Sequence, residues 1–108
     1  MSRQWENFLK DIRDEAGELL KTEIINLIEQ AKNDSETFLQ RQGSKIENYL
    51  NQLAAGKITK KQFEGYLKDI TALTEMHVLM LSVEARARAQ RMVLGITELL
   101  IKRLLSLI

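Results

Sequence analysis

Apolar residues recur at helical spacing along two long stretches of the chain, on either side of a glycine-containing segment near its middle. In both stretches the steps between the positions of the stripe repeat in the order 4-4-3, which gives an 11-residue period typical of a nearly straight helix. The first stripe consists of Ala16, Leu20, Ile24, Leu27, Ala31, Ser35, Phe38, Gln42, Ile46, Tyr49 and Leu53. The second consists of Phe63, Leu67, Ile70, Thr74, Val78, Leu81, Ala85, Ala89, Met92, Ile96, Leu100 and Leu107. The pattern predicts an all-α protein built on two long helices.

The segment between the two stripes carries the signals of one helix ending and another beginning. Gly56 can adopt the left-handed conformation that closes a helix C-terminus. Thr59 is a good N-cap, and Gln62 stands where the two side chains can form a capping box. Ile58 and Phe63 flank the cap as a hydrophobic staple. We therefore predict a tight turn that folds the second helix back along the first.

The chain is expected to be a single helical domain, residues 1–108, organised as a long antiparallel helical hairpin. The first arm covers about residues 3–54, the turn residues 55–59 and the second arm about residues 60–107. Proline is absent and only five glycines occur, which is typical of long helices. A continuous arm would be ~75 Å long at a rise of ~1.5 Å per residue, and such a rod has a contact seam but little interior.

Two places in the first arm, both within residues 33–44, weaken the helical pattern. Asn33-Asp34-Ser35 has poor helix propensity and several capping side chains. Gly43-Ser44 is followed by Glu47, which makes a second capping-box sequence. The arm either kinks or breaks at one of these places, or it continues as a helix with small and polar residues in its seam.

The second arm becomes apolar around most of its circumference from Met92 to Ile108. An apolar arc well beyond ~100° implies burial on several sides, which one partner helix cannot provide. The missing cover would come from a broken first arm in a three-helix bundle, or from a second copy in an intermolecular four-helix dimer. We favour the second copy. The predicted interface consists of Leu81, Met92, Ile96, Leu100 and Leu104.

Charge is nearly balanced over the whole chain, with a formal net charge of +1, but it is uneven along it. Residues 1–54 carry seven basic and ten acidic side chains, whereas residues 55–108 carry nine basic and five acidic ones. Halves of opposite sign favour folding back on one another, although exposed pairs contribute only about 0–1 kcal/mol each.

A basic stretch in the second arm is expected to set the register of the hairpin through ion pairs. If the arms pair about a centre within the turn, Arg91 lies opposite Glu23, and Arg88 lies between Glu23 and Glu29. Glu84 and Arg88 are also spaced to pair along one helix. A phosphate-binding or nucleic-acid-binding surface is the alternative, but the near-neutral charge and the lack of interleaved aromatic residues disfavour it.

Candidate chemistry is sparse. The chain has no cysteine and a single histidine, His77, so neither a zinc site nor the Glu-x-x-His motif of helical di-iron proteins can be built. We expect no catalytic residue, metal or cofactor, and interpret His77 as a hydrogen-bonded residue at the core edge. Lys57, Lys60 and Lys61 cluster at the turn, where a solvated cap is expected and docking to an acidic partner is the alternative.

These features together favour a non-catalytic protein–protein interaction or scaffolding module that self-associates as a homodimer. Binding to another protein, as an adaptor or chaperone, would use the same apolar faces. The alternative is a peripheral lipid-surface or granule-surface protein, with residues 94–105 lying in the interface as an amphipathic helix. The N-terminal residues form a charged amphipathic pattern with no secretion signal, so we expect a cytoplasmic protein.

Overall fold

The computed structural model of the protein is all-α, as predicted. It describes Trp5, Phe8 and residues 15–108, with only the backbone described for residues 15–18. No strand occurs in this part of the chain. The four main helices are α1 (Glu15–Lys32), α2 (Thr37–Ala54), α3 (Lys60–His77) and α4 (Val83–Gly95). A 3-10 turn (Val78–Met80) leads from α3 towards α4, and α4 continues directly into a π-helical segment (Ile96–Leu104) and a last α-turn (Leu105–Leu107).

Both predicted arms are interrupted, so the chain is a compact bundle and not a rod. The first arm breaks at residues 33–36, one of the two places indicated by the sequence, and Gly43 lies inside α2. The second arm breaks at residues 78–82, which the apolar spacing did not indicate. The principal extents are 40 × 26 × 23 Å, about half the length expected for two continuous arms. The short connections give the four helices an up-down-up-down order.

Polar side chains end α1 and start α2 by taking over backbone hydrogen bonds. The Asn33 side chain donates to the carbonyl oxygen of Glu29 at 2.9 Å. The backbone N–H of Glu36 donates to Asp34 Oδ1 at 2.8 Å, which forms an Asx-type turn. The Gln40 side chain donates to the backbone carbonyl of Asp34. These local bonds explain why the first arm breaks here.

The central turn has the local geometry that its sequence predicts. Gly56 has a φ of 73°, and the N–H of Lys57 donates to the carbonyl of Gln52 at 2.9 Å, as in a Schellman helix end. Thr59 Oγ1 accepts from the Gln62 N–H at 3.1 Å, and Gln62 Oε1 accepts from the Thr59 N–H at 2.9 Å. Both bonds of the capping box are therefore present.

The register of α2 against α3 is symmetrical about this turn. Tyr49 stacks on Tyr66 with ring centroids 4.5 Å apart, and Phe38 stacks on His77 at 3.9 Å. Each pair is equidistant in sequence from the same point within the turn. The two helices are therefore antiparallel, as a hairpin requires, along their whole length.

The core is organised around α4 and the π-helical segment, which contacts both α1 and α3. Ile96, Leu100 and Leu104 are fully buried. The wide apolar surface of the second arm is thus covered by two helices of the same chain. The core consists of Trp5, Leu20, Ile24, Ile28, Ala31, Leu39, Ile46, Leu50, Leu53, Phe63, Leu67, Ile70, Leu81, Ala85, Ala89, Met92, Ile96, Leu100 and Leu104.

The spacing of the buried residues explains why the segment Ile96–Leu104 is π-helical. From Met92 to Leu104 each buried residue is four positions after the last. In an α-helix every such step moves about 40° around the axis, so three steps would carry Leu104 well away from the core. The i→i+5 bonding of a π-helix widens the turn and reduces this rotation. All four residues therefore face the core.

Helices α1 and α2 approach closely at a glycine. A Cβ atom built on Gly43 would lie 2.7 Å from Ala31 Cβ and 2.9 Å from the backbone nitrogen of Lys32. Next to this contact, Lys32 Nζ forms a half-buried ion pair with Glu47 Oε1 at 2.8 Å. Glu47 thus links α2 to α1 and does not cap a helix start.

Candidate functional site

The five residues predicted to form an intermolecular interface lie inside the single chain. Leu81, Met92, Ile96, Leu100 and Leu104 are each at most 5% exposed. The favoured interpretation, in which a second copy supplies the missing cover, is corrected, because the alternative of a broken first arm supplies this cover within the chain. With the first arm folded into α1 and α2, their side chains are buried without a second copy. The segment 94–105, proposed as a lipid-surface helix, is held in the same core.

The predicted register ion pairs form with different partners. Arg88 binds Asp34 through two N–H groups, with Nε to Oδ2 at 2.7 Å and NH2 to Oδ1 at 3.1 Å. Glu23 pairs with Arg103 at 2.8 Å, not with Arg91. The two chain breaks shift α4 along α1, and this shift moves the arginines past the expected acidic residues.

The other residues of the predicted ion pairs are Glu29, Glu84 and Arg91, and they do not pair with one another in the described part of the chain. Asn33 contacts the Glu29 side chain at 3.5 Å. Glu84 attracts Arg88 electrostatically, but the guanidinium N–H groups of Arg88 point to Asp34. Arg91 is exposed, with no hydrogen-bond or ion-pair partner among the described residues.

Exposed apolar side chains are concentrated where α3 turns into α4. We call this surface the apolar corner. Its members are Leu73 at 40% exposed, Met76 at 77%, Leu79 and Met80 both at 78%, and Val83 at 73%. Five of the eight large apolar side chains exposed in the described part of the chain lie within this short stretch. Single exposed leucines are ordinary on protein surfaces, whereas a contiguous group marks a candidate interaction surface.

The backbone beneath the apolar corner is held firmly by hydrogen bonds. Arg86 Nε donates to the carbonyl of Leu81 at 3.0 Å, and its NH2 group donates to the carbonyl of Leu79 at 3.2 Å. Ser82 caps α4 by accepting from the Ala85 N–H at 3.2 Å. The buried Leu81 side chain anchors the turn to the core. The exposed side chains are therefore displayed by an ordered turn.

The sequence contains a weak signal for this corner. Ser82 followed by Glu84 is the pattern of an N-cap with an acidic first turn. The stretch from Leu73 to Val83 is also apolar at positions outside the helical stripe. Both features are hard to recognise in the sequence, because the apolar stripe of the second arm continues at helical spacing through Val78 and Leu81.

A cleft lies beside the α1–α2 turn, at the same end of the bundle as the apolar corner. We call it the arginine cleft. It is an open cleft with a volume of about 750 Å³. Its lining residues are Leu27, Gln30, Ala31, Asn33, Asp34, Ser35, Leu39, Arg88, Arg91 and Met92. It thus combines an apolar floor with a polar rim.

The carboxylate of Asp34 forms one wall of this cleft with only 7% of its side chain exposed. Burial raises the pKa of Asp34, but the hydrogen bonds from Arg88 and the Glu36 N–H, together with the charge of Arg88, outweigh burial and lower it overall. Asp34 is therefore an ionised structural group, which ties the α1–α2 turn to α4.

Because folding lowers the pKa of Asp34, the Asp34–Arg88 ion pair should make the free energy of unfolding depend on pH in the acid range. Its contribution is fully present above the unfolded-state pKa of about 4 and is lost as the pH falls through the lower folded-state pKa. We expect Asp34→Asn to flatten the loss of stability below about pH 4 in urea titrations followed by circular dichroism. Equal slopes for wild type and Asp34→Asn would contradict the assignment.

Other sequence candidates occupy ordinary positions. His77 is half-buried against Phe38. Lys57, Lys60 and Lys61 are exposed at the opposite end of the bundle, where Lys60 also donates to the carbonyl of Ile108.

The described part of the chain offers neither a metal-binding cluster nor a membrane span. No three of its His, Asp or Glu side chains lie close enough to hold a metal ion. None of its helices combines the length and apolar character needed to cross a bilayer. Comparisons with family models, with curated proteins and with solved structures found no match for this chain.

Proposed function

We propose that the protein is a non-catalytic protein–protein interaction module that self-associates through the apolar corner. The observation that carries the proposal is the exposure of Met76, Leu79, Met80 and Val83 on and beside the ordered turn between α3 and α4. Burying these side chains against another molecule would be favourable by about 25 cal/mol per Å² of apolar surface. Because the turn is already ordered, association loses little conformational entropy.

A second copy of the chain is the occupant that we favour. The centre of the corner carries no charge, so two corners can face each other without like-charge repulsion. The residues that flank it in the sequence carry both signs, namely the exposed Glu75 and Glu84 and the half-buried Arg86. A two-fold axis through the corner can therefore bring unlike charges together around an apolar centre, as an isologous dimer requires.

The proposal predicts a dimer that two surface substitutions disrupt. In sedimentation equilibrium at micromolar concentration, Leu79→Glu combined with Met80→Glu should weaken association by about a hundredfold or more. Both side chains are 78% exposed, so the variant should keep the helix content and melting temperature of the monomer.

Leu19→Glu provides the matched control. Leu19 is also exposed, at 57%, but lies on α1 away from the corner. This variant should dimerise like the wild type. A wild type that stays monomeric at all accessible concentrations would refute self-association, and equal weakening by the control would refute the corner as its site.

A lipid surface is the second candidate, because Leu79 and Met80 project from a turn beside Arg86 and could enter a bilayer interface together. In this case wild-type protein should float with anionic vesicles at low salt, and the corner double variant should not. Trp5 is fully buried, so its fluorescence should stay unchanged if the bundle binds intact and shift if the bundle opens. No flotation of the wild type would rule out this candidate.

A further inference from the structure

The arginine cleft is distinct in chemistry from the apolar corner and plays no part in the function proposed above. Its volume of about 750 Å³ is within the range of about 300–1,000 Å³ typical of small-molecule sites. Leu27, Leu39 and Met92 come from three different helices and form the apolar part of its lining. A site assembled from three packed helices has its shape fixed by the bundle.

Close packing limits the cleft beside Leu27. The Leu27 side chain approaches Gly95 so closely that a Cβ atom built there would lie 2.9 Å from Leu27 Cδ1. Leu27 therefore rests on the α4 backbone, where a larger side chain at position 95 would push it out of place.

The two arginines of the cleft have different electrostatic situations. Arg88 is neutralised by the bidentate contact with Asp34, and Glu36 and Glu84 attract it further without lining the cleft. Arg91 has no such partner among the described residues. Once the Arg88–Asp34 pair is counted as neutral, the lining keeps one positive charge above an apolar floor.

We infer that the arginine cleft binds an amphiphilic monoanion, a medium-chain carboxylate, with its head group at Arg91 and its tail on Leu27, Leu39 and Met92. An arginine fork matches the geometry of a carboxylate and can donate two parallel hydrogen bonds to it. Gln30, Asn33 and Ser35 on the rim supply further hydrogen-bonding groups. A cation of the same length would meet an uncompensated positive charge, so the cleft should select anions.

Sodium decanoate, below its micelle concentration, is the probe for this site. Isothermal titration calorimetry with the 108-residue chain should give one saturable site, and Arg91→Gln should raise its Kd about tenfold or more. Arg41→Gln, which changes an exposed arginine of α2 outside the cleft, should leave the Kd unchanged. Decyltrimethylammonium should bind at least tenfold more weakly than decanoate.

Further variants separate this site from the apolar corner. Gln30→Trp should block the cleft and abolish decanoate binding, whereas Met80→Glu should have no effect on it. Circular dichroism would verify that each variant is folded. Loss of binding in Met80→Glu, equal Kd values for Arg91→Gln and Arg41→Gln, or no binding by the wild type would overturn the inference. None of these results bears on dimerisation, which sedimentation tests separately.

Discussion

Replacing Leu100 with alanine is expected to lower the free energy of unfolding by about 2–5 kcal/mol. Leu100 is fully buried in the π-helical segment, between α1 and α3. Its truncation removes apolar contacts and leaves a cavity that surrounding helices can fill only in part. Urea unfolding followed by circular dichroism and by Trp5 fluorescence would measure the change.

The same experiment distinguishes a core residue from an interface residue. If Leu100 belongs to the core of one chain, the loss of unfolding free energy should be the same at every protein concentration. If Leu100 lay in an interface between two copies, this loss should change with protein concentration. Leu94→Ala is the matched control, because Leu94 is 60% exposed on the adjoining α4. Its effect should stay within about 0.5 kcal/mol. A concentration-dependent loss, or similar losses in both variants, would contradict the burial of Leu100 within one chain.

Adding a single methyl group at Gly43 is expected to destabilise the protein by about 1–3 kcal/mol. Alanine favours helices by about 1 kcal/mol over glycine, so helix propensity alone predicts the opposite sign. The new Cβ would meet Ala31 Cβ at 2.7 Å and the Lys32 backbone nitrogen at 2.9 Å. Neither is the end of a flexible side chain, so α1 and α2 must separate.

Gly65→Ala is the matched control, because it adds the helix propensity of alanine at a position where the new Cβ atom meets no other atom. Gly65 lies inside α3, and a Cβ atom built there meets nothing within 4 Å. This variant should be more stable than the wild type by about 0.5–1 kcal/mol. Opposite signs for the two alanines, measured by urea unfolding, would support the close approach of α1 and α2. Stabilisation by both would show that the helices are further apart.

Features that depend on neighbouring residues were predictable from the sequence. The capping box of Thr59 and Gln62 and the left-handed Gly56 need only a few adjacent side chains. The apolar stripe of the second arm was also largely correct. Its buried members extend from Phe63 to Leu100, and the core then continues at Leu104 and not at Leu107.

Features that depend on where the helices break were predictable only in part, because the sequence indicated the break at residues 33–36 but not the break at residues 78–82. The stripe positions Thr74, Val78, Leu81 and Ala85 keep helical spacing across the α3–α4 corner, so periodicity alone gave no sign of a break there. In α2 the predicted positions Gln42, Ile46 and Leu53 are buried. Leu39 and Leu50 are buried in place of Phe38 and Tyr49, whose rings stack on residues of α3.

The candidate surfaces show the same dependence on the chain breaks. Arg88 meets Asp34 only because α1 ends at Lys32 and α4 begins beyond residue 82. Pairing of the two arms about one turn would not bring these two residues together. The apolar corner likewise exists because Leu79 and Met80 belong to a turn, whereas a continuous helix would have brought part of this stretch against the first arm.

The π-helical segment also determines where the fold can tolerate the loss of a residue. Deleting one residue from α2 or α3 would rotate every later position of that helix by about 100° and expose buried side chains. Between Ile96 and Leu104 the helix already has wider turns than an α-helix. A shortening by one residue there can be absorbed by a return to α-helical bonding. Within the four-helix core, this is where the deletion of a single residue should be best tolerated.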